Sequence, residues 1–578
     1  MESVIDKNLS FLKAEFPSVY QKVSKLNNTQ PYSVAGDKDP NIFLGKQAYH
    51  SIRNPQDEAL NLVKNLQVES GLIFIFLGIG FGYHIEKFKK LYEKTIPKVT
   101  VVCIEKSTEA FTLLLHHRDI SFLSGVHLFL DDDVKEIGTY FSKLDSLSFK
   151  GYKIIRLRGG YSLFERYYLD IESQFRSFMS GTLSDILTRF AFENLWMKNI
   201  IDTIPYIIGK RSIDALKGVL KDRPAIVLGA GPSLSSQLEK IAELHKWIYI
   251  IAVDTALEPL LTVGIEPDFI VTLDAQFFNI LDFHSYLLRT IHKTGPILVA
   301  DLMVYPKIIR NWKGPLYFSK TTINEGNHND SHPLISGLEN SFGNVGSLKC
   351  GGSVTTTAID LALHLGAIPV LLAGCDFSFT GYATHVSSSS PYIHFYRQSS
   401  RFNTISTSMT KQIASKKRFY IEGTENNRVI TDFVFRKYLS WFNKRSEFKN
   451  RVYNATSHGA IIPGLTHRNL DLEIEGLVHA HKKGKPPILP LQTKKYSVKM
   501  ARDFLNSLNT QIEQARQEIQ ENPKNGDIAI RYPLFVNSFH VAKKLYGDNK
   551  LLFQQQLLLL FELLERRIKI SAGKIKKR

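Results

Sequence analysis

Cysteine is scarce in this sequence, in which 578 residues include only Cys103, Cys350 and Cys375. The three lie far apart, in apolar or glycine-rich surroundings, and no two of them form a CxxC pair. The sequence therefore predicts neither a disulfide framework nor a cysteine-based zinc site. This usage is consistent with a protein of the reducing cytoplasm, which is where we expect it to act.

Long uncharged apolar stretches are also absent. No segment reaches the ~18 apolar residues that a membrane-spanning helix needs, and the first residues, MESVIDKNLSFLKAEF, lack the pattern of a secretory signal. The most apolar late stretch, Leu557–Phe561, is bounded by Gln556 and Glu562. This spacing is typical of an amphipathic helix that packs on protein, so we expect no membrane insertion.

Acidic residues are outnumbered, because 73 Lys and Arg stand against 55 Asp and Glu, a formal net charge of +18. Most of the basic residues are dispersed, with short clusters at 416–418, 482–483 and 574–578. Nucleic-acid binding requires clustered basic side chains within a recognisable module, and the sequence carries no such module. We therefore expect an acidic small substrate or an acidic partner, and no nucleic acid.

Strand-like apolar runs alternate with helical patterns in the first part of the chain, at residues 72–77, 99–104, 126–130 and 152–156. Such alternation predicts a parallel sheet with helices on its faces, and we assign residues 1–180 to a Rossmann-like domain. Gly78, Gly80 and Gly82 follow its first strand, and Glu105 ends the second. This is the layout of a nucleotide or S-adenosylmethionine site. A platform for partner binding is the interpretation that we favour.

A helix is predicted from about Leu183 to Ile200, ending or kinking near Pro205. A second α/β domain, 181–465, is predicted from two-sided apolar runs at 225–228, 248–253, 269–273, 297–300 and 370–373. A Lys/Pro-rich linker follows at 466–495, and heptad-like patterns predict helices at 496–578. The predicted fold class is thus α/β, with two Rossmann-like domains and a helical C-terminal domain.

The sharpest local feature of the second domain is a glycine-rich turn, Gly229-Ala230-Gly231-Pro232-Ser233, directly after its first strand. A helix is predicted to follow, with Ser236 and Glu239 at capping-box spacing. Glycines allow a tight turn and close approach by a ligand, and the amides at a helix start favour an anion. The turn is therefore a candidate phosphate site, although many such turns only connect a strand to a helix.

Acidic residues follow four strands of the same sheet, namely Asp254, Asp274, Asp301 and Asp376. In a parallel sheet these positions line one crevice, where such folds bind ligands. Some of them are expected only to cap loops. A second turn, Cys350-Gly351-Gly352-Ser353-Val354-Thr355, precedes an apolar helix and offers either amide donors to a ligand or a simple helix cap.

The segment after Asp376 shows little regular pattern for about forty residues, up to 416–418. A loop of that length in a compact domain is usually a functional lid or disordered. It carries side chains suited to phosphate binding and proton transfer: Tyr382, His385, Tyr392, His394, Tyr396, Arg397 and Arg401.

The chain resembles the motility-associated factor (Maf) glycosyltransferases, whose central domain is also similar to archaeal 6-hydroxymethylpterin diphosphokinase. The resemblance rests on VLGAGPSL, VGIEPDFIVTLDAQ, GGSVTTTAIDLALHLGAIPVLLAGCDFSFTGYATHV and VYNATSHGAIIPG, which fall within about residues 180–465. It implies a central domain of GT-A/sialyltransferase-like fold, similar to bacterial sialyltransferases that use CMP-sialic acid.

The resemblance implies transfer of a CMP-activated nonulosonic acid, of pseudaminic or legionaminic type, to Ser or Thr hydroxyls of flagellin. The implied nucleotide-sugar site comprises Gly229, Gly231, Pro232, Ser233, Leu234, Asp254, Asp274, Gly352, Ser353, Thr355, Asp376 and Tyr382. His385 is implied as the catalytic base, and Asp274 as the other catalytic residue, which holds the nucleotide ribose or orients the acceptor. Asp replaces an Asn of the sialyltransferases, which leaves Mg²⁺ open as a cofactor, and no metal ligand is assigned.

Two alternatives belong to other classes. The first is a diphosphokinase that moves pyrophosphate from ATP to a pterin alcohol, a reaction that needs magnesium to bridge phosphates. The extra chain on both sides and the lack of a GxxxxGK[ST] motif argue against it. The second is a flagellin-binding factor without activity, which the retained site residues disfavour.

Overall fold

The computed structural model describes residues 3–24, 31–36, 38–68, 72–92, 99–142, 151–288, 295–322, 332–443, 445–473, 476, 484–521, 531–535, 538–539 and 550–577. The chain divides into two compact units, residues 1–191 and 192–578. No helix in this part of the chain combines the length and the apolar character needed to cross a membrane.

The first unit contains a parallel four-stranded sheet and a small antiparallel sheet. Its strands are β1 (Tyr32–Ala35), β2 (Asn41–Leu44), β3 (Gln47–Ala48), β4 (Leu72–Leu77), β5 (Thr100–Glu105), β6 (His127–Leu130) and β7 (Gly151–Arg156). Its helices are α1 (Val4–Glu15), α2 (Pro17–Val23), α3 (Pro55–Val63), α4 (Tyr83–Leu91), α5 (Thr108–His117), α6 (Val134–Ser142) and α7 (Arg158–Leu163). The parallel strands lie in the order β6-β5-β4-β7. All four had been predicted from the apolar runs.

Helix α8 (Glu165–Ile207) contains the unit boundary. It begins well before the predicted start at Leu183 and continues through Pro205 to Ile207. The predicted helix start is therefore wrong, because the residues before it continue the same helix.

The second unit is built on a ten-stranded sheet. Its strands are β8 (Arg211–Ser212), β9 (Ala225–Leu228), β10 (Tyr249–Val253), β11 (Phe269–Thr272), β12 (Ile297–Asp301), β13 (Leu316–Thr322), β14 (Ser347–Lys349), β15 (Val370–Ala373), β18 (Val452–Asn454) and β19 (Thr466–His467), with a separate hairpin of β16 (Arg418–Glu422) and β17 (Arg428–Asp432). The order is β14-β13-β12-β11-β10-β9-β15-β18-β19, with β8 beside β13. The pairings in this sheet are parallel.

The helices of this unit cover both faces of the sheet. They are α9 (Leu234–Leu244), α10 (Leu257–Thr262), α11 (His284–Leu288), α12 (Pro306–Asn311), α13 (Pro333–Phe342), α14 (Val354–His364), α15 (Ser390–Arg397), α16 (Ile405–Ala414), α17 (Phe433–Phe442), α18 (Val498–Glu521) and α19 (Lys550–Lys576). Helices α15 and α16 lie in the segment that had been predicted to lack regular structure, so that prediction is wrong. Its short helices are separated by polar turns that hide their periodicity.

Two cores lie on opposite faces of the sheet. Along β11, Phe269 and Val271 pack into one core and Ile270 into the other, because neighbouring side chains of a strand point to opposite faces. The first core includes α9 and α14, and the second includes α12, α13, α18, α19 and the end of α8. The C-terminal helices therefore share a core with the sheet.

Candidate active site

The sheet of the second unit reverses its winding direction beside β9. Strand β9 pairs with β10 on one side and with β15 on the other, in parallel register. In open α/β sheets the carboxyl ends of the strands at such a switch point form the ligand-binding crevice. The turn at 229–234 follows β9 and residues 374–376 follow β15, so topology brings these two predicted segments together.

Asp376 binds the glycine-rich turn directly. The Ser233 amide donates to Asp376 Oδ2 at 3.1 Å, and Ser233 Oγ donates to Oδ1 at 2.5 Å. A Cβ atom on Gly231 would lie 2.1 Å from Asp376 Oδ1, so only glycine leaves room for this carboxylate. Burial raises the pKa of Asp376 to about 6, against the opposing effect of the Ser233 hydrogen bonds.

Three further amides of the turn donate within the chain. The Gly229 amide bonds to Ala373 O at 2.9 Å, that of Gly231 to Gly374 O at 2.8 Å, and that of Leu234 to Gly231 O at 3.1 Å. Pro232 carries no amide proton. An anion that used the Ser233 donors would therefore take the place of the Asp376 carboxylate.

Asp254 and Asp274 lie at the carboxyl ends of the next two strands. Asp254 is buried, and its Oδ2 accepts hydrogen bonds from Thr272 Oγ1 at 2.8 Å and from Asn279 Nδ2 at 2.9 Å. Asp274 is exposed and accepts from the Gln276 amide at 2.9 Å. Desolvation is the main cause that raises the pKa of both carboxyls.

Asp282 lies within electrostatic reach of Asp254 and Asp274 and forms an acidic group with them, although no sequence pattern had pointed to it. Burial, followed by the charge of Asp254, raises the pKa of Asp282 to about 8. Ser390 Oγ donates to Asp282 Oδ1, which attaches the start of α15 to the acidic group. Asp301 is instead used structurally, since it accepts from Thr321 Oγ1 at 2.6 Å and from the Met303 amide at 2.8 Å.

The second glycine turn caps α14. Ser353 is the N-cap residue and its side chain accepts from the Thr356 amide, while Thr355 lies half-buried in the first turn. Gly351 and Gly352 approach aromatic rings closely, because a Cβ there would lie 2.4 Å from Trp441 and 2.7 Å from Tyr438. Capping and packing thus account for the residue types of this turn.

The segment after Asp376 returns to the glycine-rich turn. The Val386 amide donates to Ala230 O at 3.0 Å, which places His385 next to the turn. Burial lowers the pKa of His385 to about 4, so its imidazole is neutral at physiological pH. Tyr382 is 58% exposed and has a left-handed backbone, with φ of 56°.

A pocket of about 350 Å³ adjoins this crevice. It is lined by Ser236, Gln237, Lys240, Thr424, Glu425, Ala455, Thr456, Ser457, His458, His467, Arg468, Asn469, Leu470 and Asp471. The motif VYNATSHG had marked part of its wall without indicating a pocket. Among the described residues no group of three or more His, Cys, Asp or Glu side chains is arranged to hold a metal ion.

Side chains of the first unit itself bind the amides of its glycine turn at 78–82. Glu105 Oε2 accepts hydrogen bonds from the amides of Ile79 at 2.7 Å and Gly80 at 3.3 Å, and the Phe81 amide donates to His50 Nε2 at 2.9 Å. A Cβ on Gly80 would lie 2.6 Å from His50 Nε2. The carboxylate that would bind ribose in a nucleotide fold is thus already engaged by backbone amides.

Comparison with known proteins first defines the class. Residues 198–381 match the family model described as 6-hydroxymethylpterin diphosphokinase MptE-like. The 6-hydroxymethyl-7,8-dihydropterin pyrophosphokinase of Methanothermobacter thermautotrophicus is 30% identical over 154 residues, 26% of this chain and 56% of that protein. An uncharacterised protein of Treponema pallidum is 25% identical over 314 residues, 54% of this chain and 53% of its own length. The chain therefore spans about half the length of these relatives.

A solved structure then extends the comparison to the whole chain. The Maf glycosyltransferase from Magnetospirillum magneticum AMB-1 superposes with a TM-score of 0.58 at 12% identity, covering 99% of this chain and 96% of that one. The predicted α/β fold class is confirmed. The predicted resemblance, a Maf-type fold with an MptE-like central part, is confirmed as well.

Proposed function

We propose that the protein is a glycosyltransferase that moves a nonulosonic acid, of pseudaminic or legionaminic type, from its CMP-activated form to Ser or Thr hydroxyls of flagellin. In this role it would be required for flagellar assembly and motility. The observation that carries the proposal is the similarity to a Maf glycosyltransferase over 99% of the chain, which includes the parts on both sides of the MptE-like segment.

The crevice at the switch point supports this proposal chemically. The leaving CMP phosphate develops negative charge, which preorganised donors at the end of β9 would stabilise. Ser233 supplies an amide and a hydroxyl there once the phosphate displaces Asp376, and the exposed phenol of Tyr382 adds a further donor. Asp254 and Asp274, at the ends of the neighbouring strands, are suited to the ribose hydroxyls. We further propose a cytoplasmic location, which accords with three free, buried cysteines.

A second candidate is pyrophosphate transfer from ATP to a pterin alcohol, favoured by the match of residues 198–381 to the diphosphokinase-like family. It would use Mg²⁺ to bridge phosphates. Asp254, Asp274 and Asp282 are the carboxylates that this interpretation would assign to that role, and burial raises the pKa of Asp282 to about 8. The diphosphokinase-like match covers residues 198–381, whereas the similarity to the Maf glycosyltransferase extends over 99% of the chain, so the transferase is the better supported function.

Nucleotide binding separates the two candidates. We expect CMP and CDP to raise the melting temperature of the purified protein more than ATP does, with or without EDTA. A ligand at about a hundredfold its Kd stabilises by about 2.7 kcal/mol, which corresponds to several degrees at most. Protection by ATP that depends on magnesium would establish the kinase instead.

Transfer itself is tested by the intact mass of flagellin from cells with and without the gene. We expect flagellin to lose the mass of one or more nonulosonic acid residues in the deletion strain and to regain it on complementation. The Ser233→Ala variant removes the hydroxyl donor at the proposed phosphate position without adding charge or bulk beside Asp376, and should restore less flagellin modification than the wild type while remaining folded. Unchanged flagellin mass in the deletion strain would exclude the proposed acceptor.

A further inference from the structure

Two of the segments that line the pocket beside the crevice, the β16–β17 turn and the loop after β18, are hydrogen-bonded to each other. The Thr424 amide, in the turn between β16 and β17, donates to Gly459 O at 3.0 Å. The Ala460 amide donates to Asp376 O at 2.8 Å. A Cβ on Gly459 would lie 2.7 Å from the Asp376 backbone, so the loop after β18 approaches Asp376 closely only because this residue is glycine.

These backbone hydrogen bonds place Glu425 beside His458. His458 Nδ1 lies 3.0 Å from Glu425 Oε1, and the two side chains are 44% and 52% exposed at the pocket. A carboxylate at Nδ1 fixes the tautomer and orientation of an imidazole and leaves Nε2 as the nitrogen that a substrate can reach. His385, by contrast, has a buried Nδ1 with no hydrogen-bond partner among the described residues.

The pocket connects to the predicted phosphate position through hydroxyl groups. Ser457 Oγ lies 3.5 Å from Ser233 O, and the hydroxyls of Ser236 and Ser457 are 3.1 Å apart. Gln237 Nε2 donates to Ala455 O at 2.7 Å, whereas its Oε1 is buried and has no partner within the described part of the chain. Such an oxygen is suited to a hydroxyl or amide donor from a ligand.

We propose that this pocket receives the acceptor hydroxyl, the side chain of a serine or threonine, and that His458, oriented by Glu425, accepts its proton. The inference rests on the proposed transferase function. The acceptor oxygen forms a bond to the anomeric carbon of the sugar while the bond from that carbon to the CMP phosphate oxygen breaks. CMP leaves with the electron pair, and the hydroxyl proton passes to His458 Nε2, where Glu425 stabilises the imidazolium.

The test compares His458→Ala and Glu425→Gln with His116→Asn, a substitution of an exposed histidine on α5 of the first unit. Transfer is measured from a CMP-nonulosonic acid to purified flagellin, and donor binding by thermal protection with CMP. We expect His458→Ala to lose 10²–10⁴-fold in kcat, the range for a general base, with CMP protection retained. Added imidazole should restore part of this activity, and Glu425→Gln should lose less.

Three outcomes would overturn the inference. The first is full transfer by His458→Ala. The second is a His458→Ala variant that loses both transfer and thermal protection by CMP, which would make the pocket a donor site. The third is the absence of imidazole rescue combined with a normal kcat for Glu425→Gln, which would leave His458 a merely structural role. Failure of the wild-type protein to transfer any sugar or bind CMP would instead remove the proposed function, and this inference with it.

Discussion

Asp376 connects the separate segments of the candidate site. Its carboxylate accepts both hydrogen bonds from Ser233, its main-chain oxygen accepts from Ala460, and its backbone is covered by Gly459. The strand-end position had suggested a ligand-binding or capping carboxylate. The structure shows that it holds the glycine turn and the loop after β18 against β15, so an anion that bound to the Ser233 donors would have to displace this carboxylate.

The Asp376→Asn variant tests this role through pH. The pKa of Asp376 is raised to about 6 by burial, above the 3.8 of an unperturbed carboxyl. Between about pH 4 and 6 the folded protein therefore holds a proton that the unfolded chain has lost. As the pH rises from about 4 to 6, the free energy of unfolding of the wild type should fall relative to that of the variant, by on the order of 3 kcal/mol.

Urea unfolding of both proteins at pH 4 to 8 measures the difference between their free energies of unfolding. This difference should be constant above pH 6. The exposed Asp503→Asn variant serves as the control and should track the wild type at each pH. A pH-independent difference between wild type and Asp376→Asn would contradict the assigned environment.

At the scale of elements, the segment between β15 and β18 carries most of the unexpected structure. It forms α15, α16 and the β16–β17 hairpin, and it contacts the site at several points, including the bond from Val386 to Ala230. Helix α15 begins where Ser390 donates to Asp282. The attachment of this helix therefore depends on a carboxyl in the acidic group rather than on an apolar face, since α15 has no fully buried residue.

The Ser390→Ala variant should loosen α15. Removing one hydrogen bond to a carboxyl group costs about 1–3 kcal/mol, which corresponds to roughly tenfold or more in a local opening equilibrium. Hydrogen exchange followed by mass spectrometry should therefore show faster exchange in residues 390–397 and unchanged exchange in β9 and β15. Ser415→Ala, whose hydroxyl donates to Gln412 O at the end of α16, is the matched control. Equal exchange in the two variants would show that Ser390 does not hold the helix.

At the scale of the whole molecule, the chain divides into two compact units, residues 1–191 and 192–578. The C-terminal helices contribute Phe504, Leu508 and Ile512 to the core that also contains Ile270 and Leu298 of the sheet. One sheet face is thus covered by residues that follow the predicted linker at 466–495. The boundaries predicted at 465 and 496 remain predictions, which fragment expression can decide.

Two fragments make this test. Residues 192–578 contain both cores and should be soluble and unfold cooperatively. Residues 192–497 lack α18 and α19, which exposes apolar side chains of one face, so we expect this fragment to aggregate. Circular dichroism melts and size-exclusion chromatography measure both properties. A soluble, cooperatively unfolding 192–497 fragment would instead support an independent C-terminal helical domain.

The sequence by itself determined the buried parallel strands. The run at 72–77 and the runs at 225–228 and 370–373 were predicted to the residue, because a strand covered on both faces must be apolar throughout. It also located the turn at 229–234 and the capping turn before α14. Strands β13, β14, β18 and β19 were not predicted from the sequence, because they are short, polar at their ends or at the sheet edge.

Tertiary structure alone decided which of these residues meet. Asp376 and Ser233 lie 143 positions apart, and Glu425 and His458 come together only because the β16–β17 turn is bonded to the loop after β18. No local pattern encodes such contacts, since they depend on strand order and on glycines that permit close approach. The sequence determined the elements through local burial and periodicity, whereas the site arose from how distant elements pack.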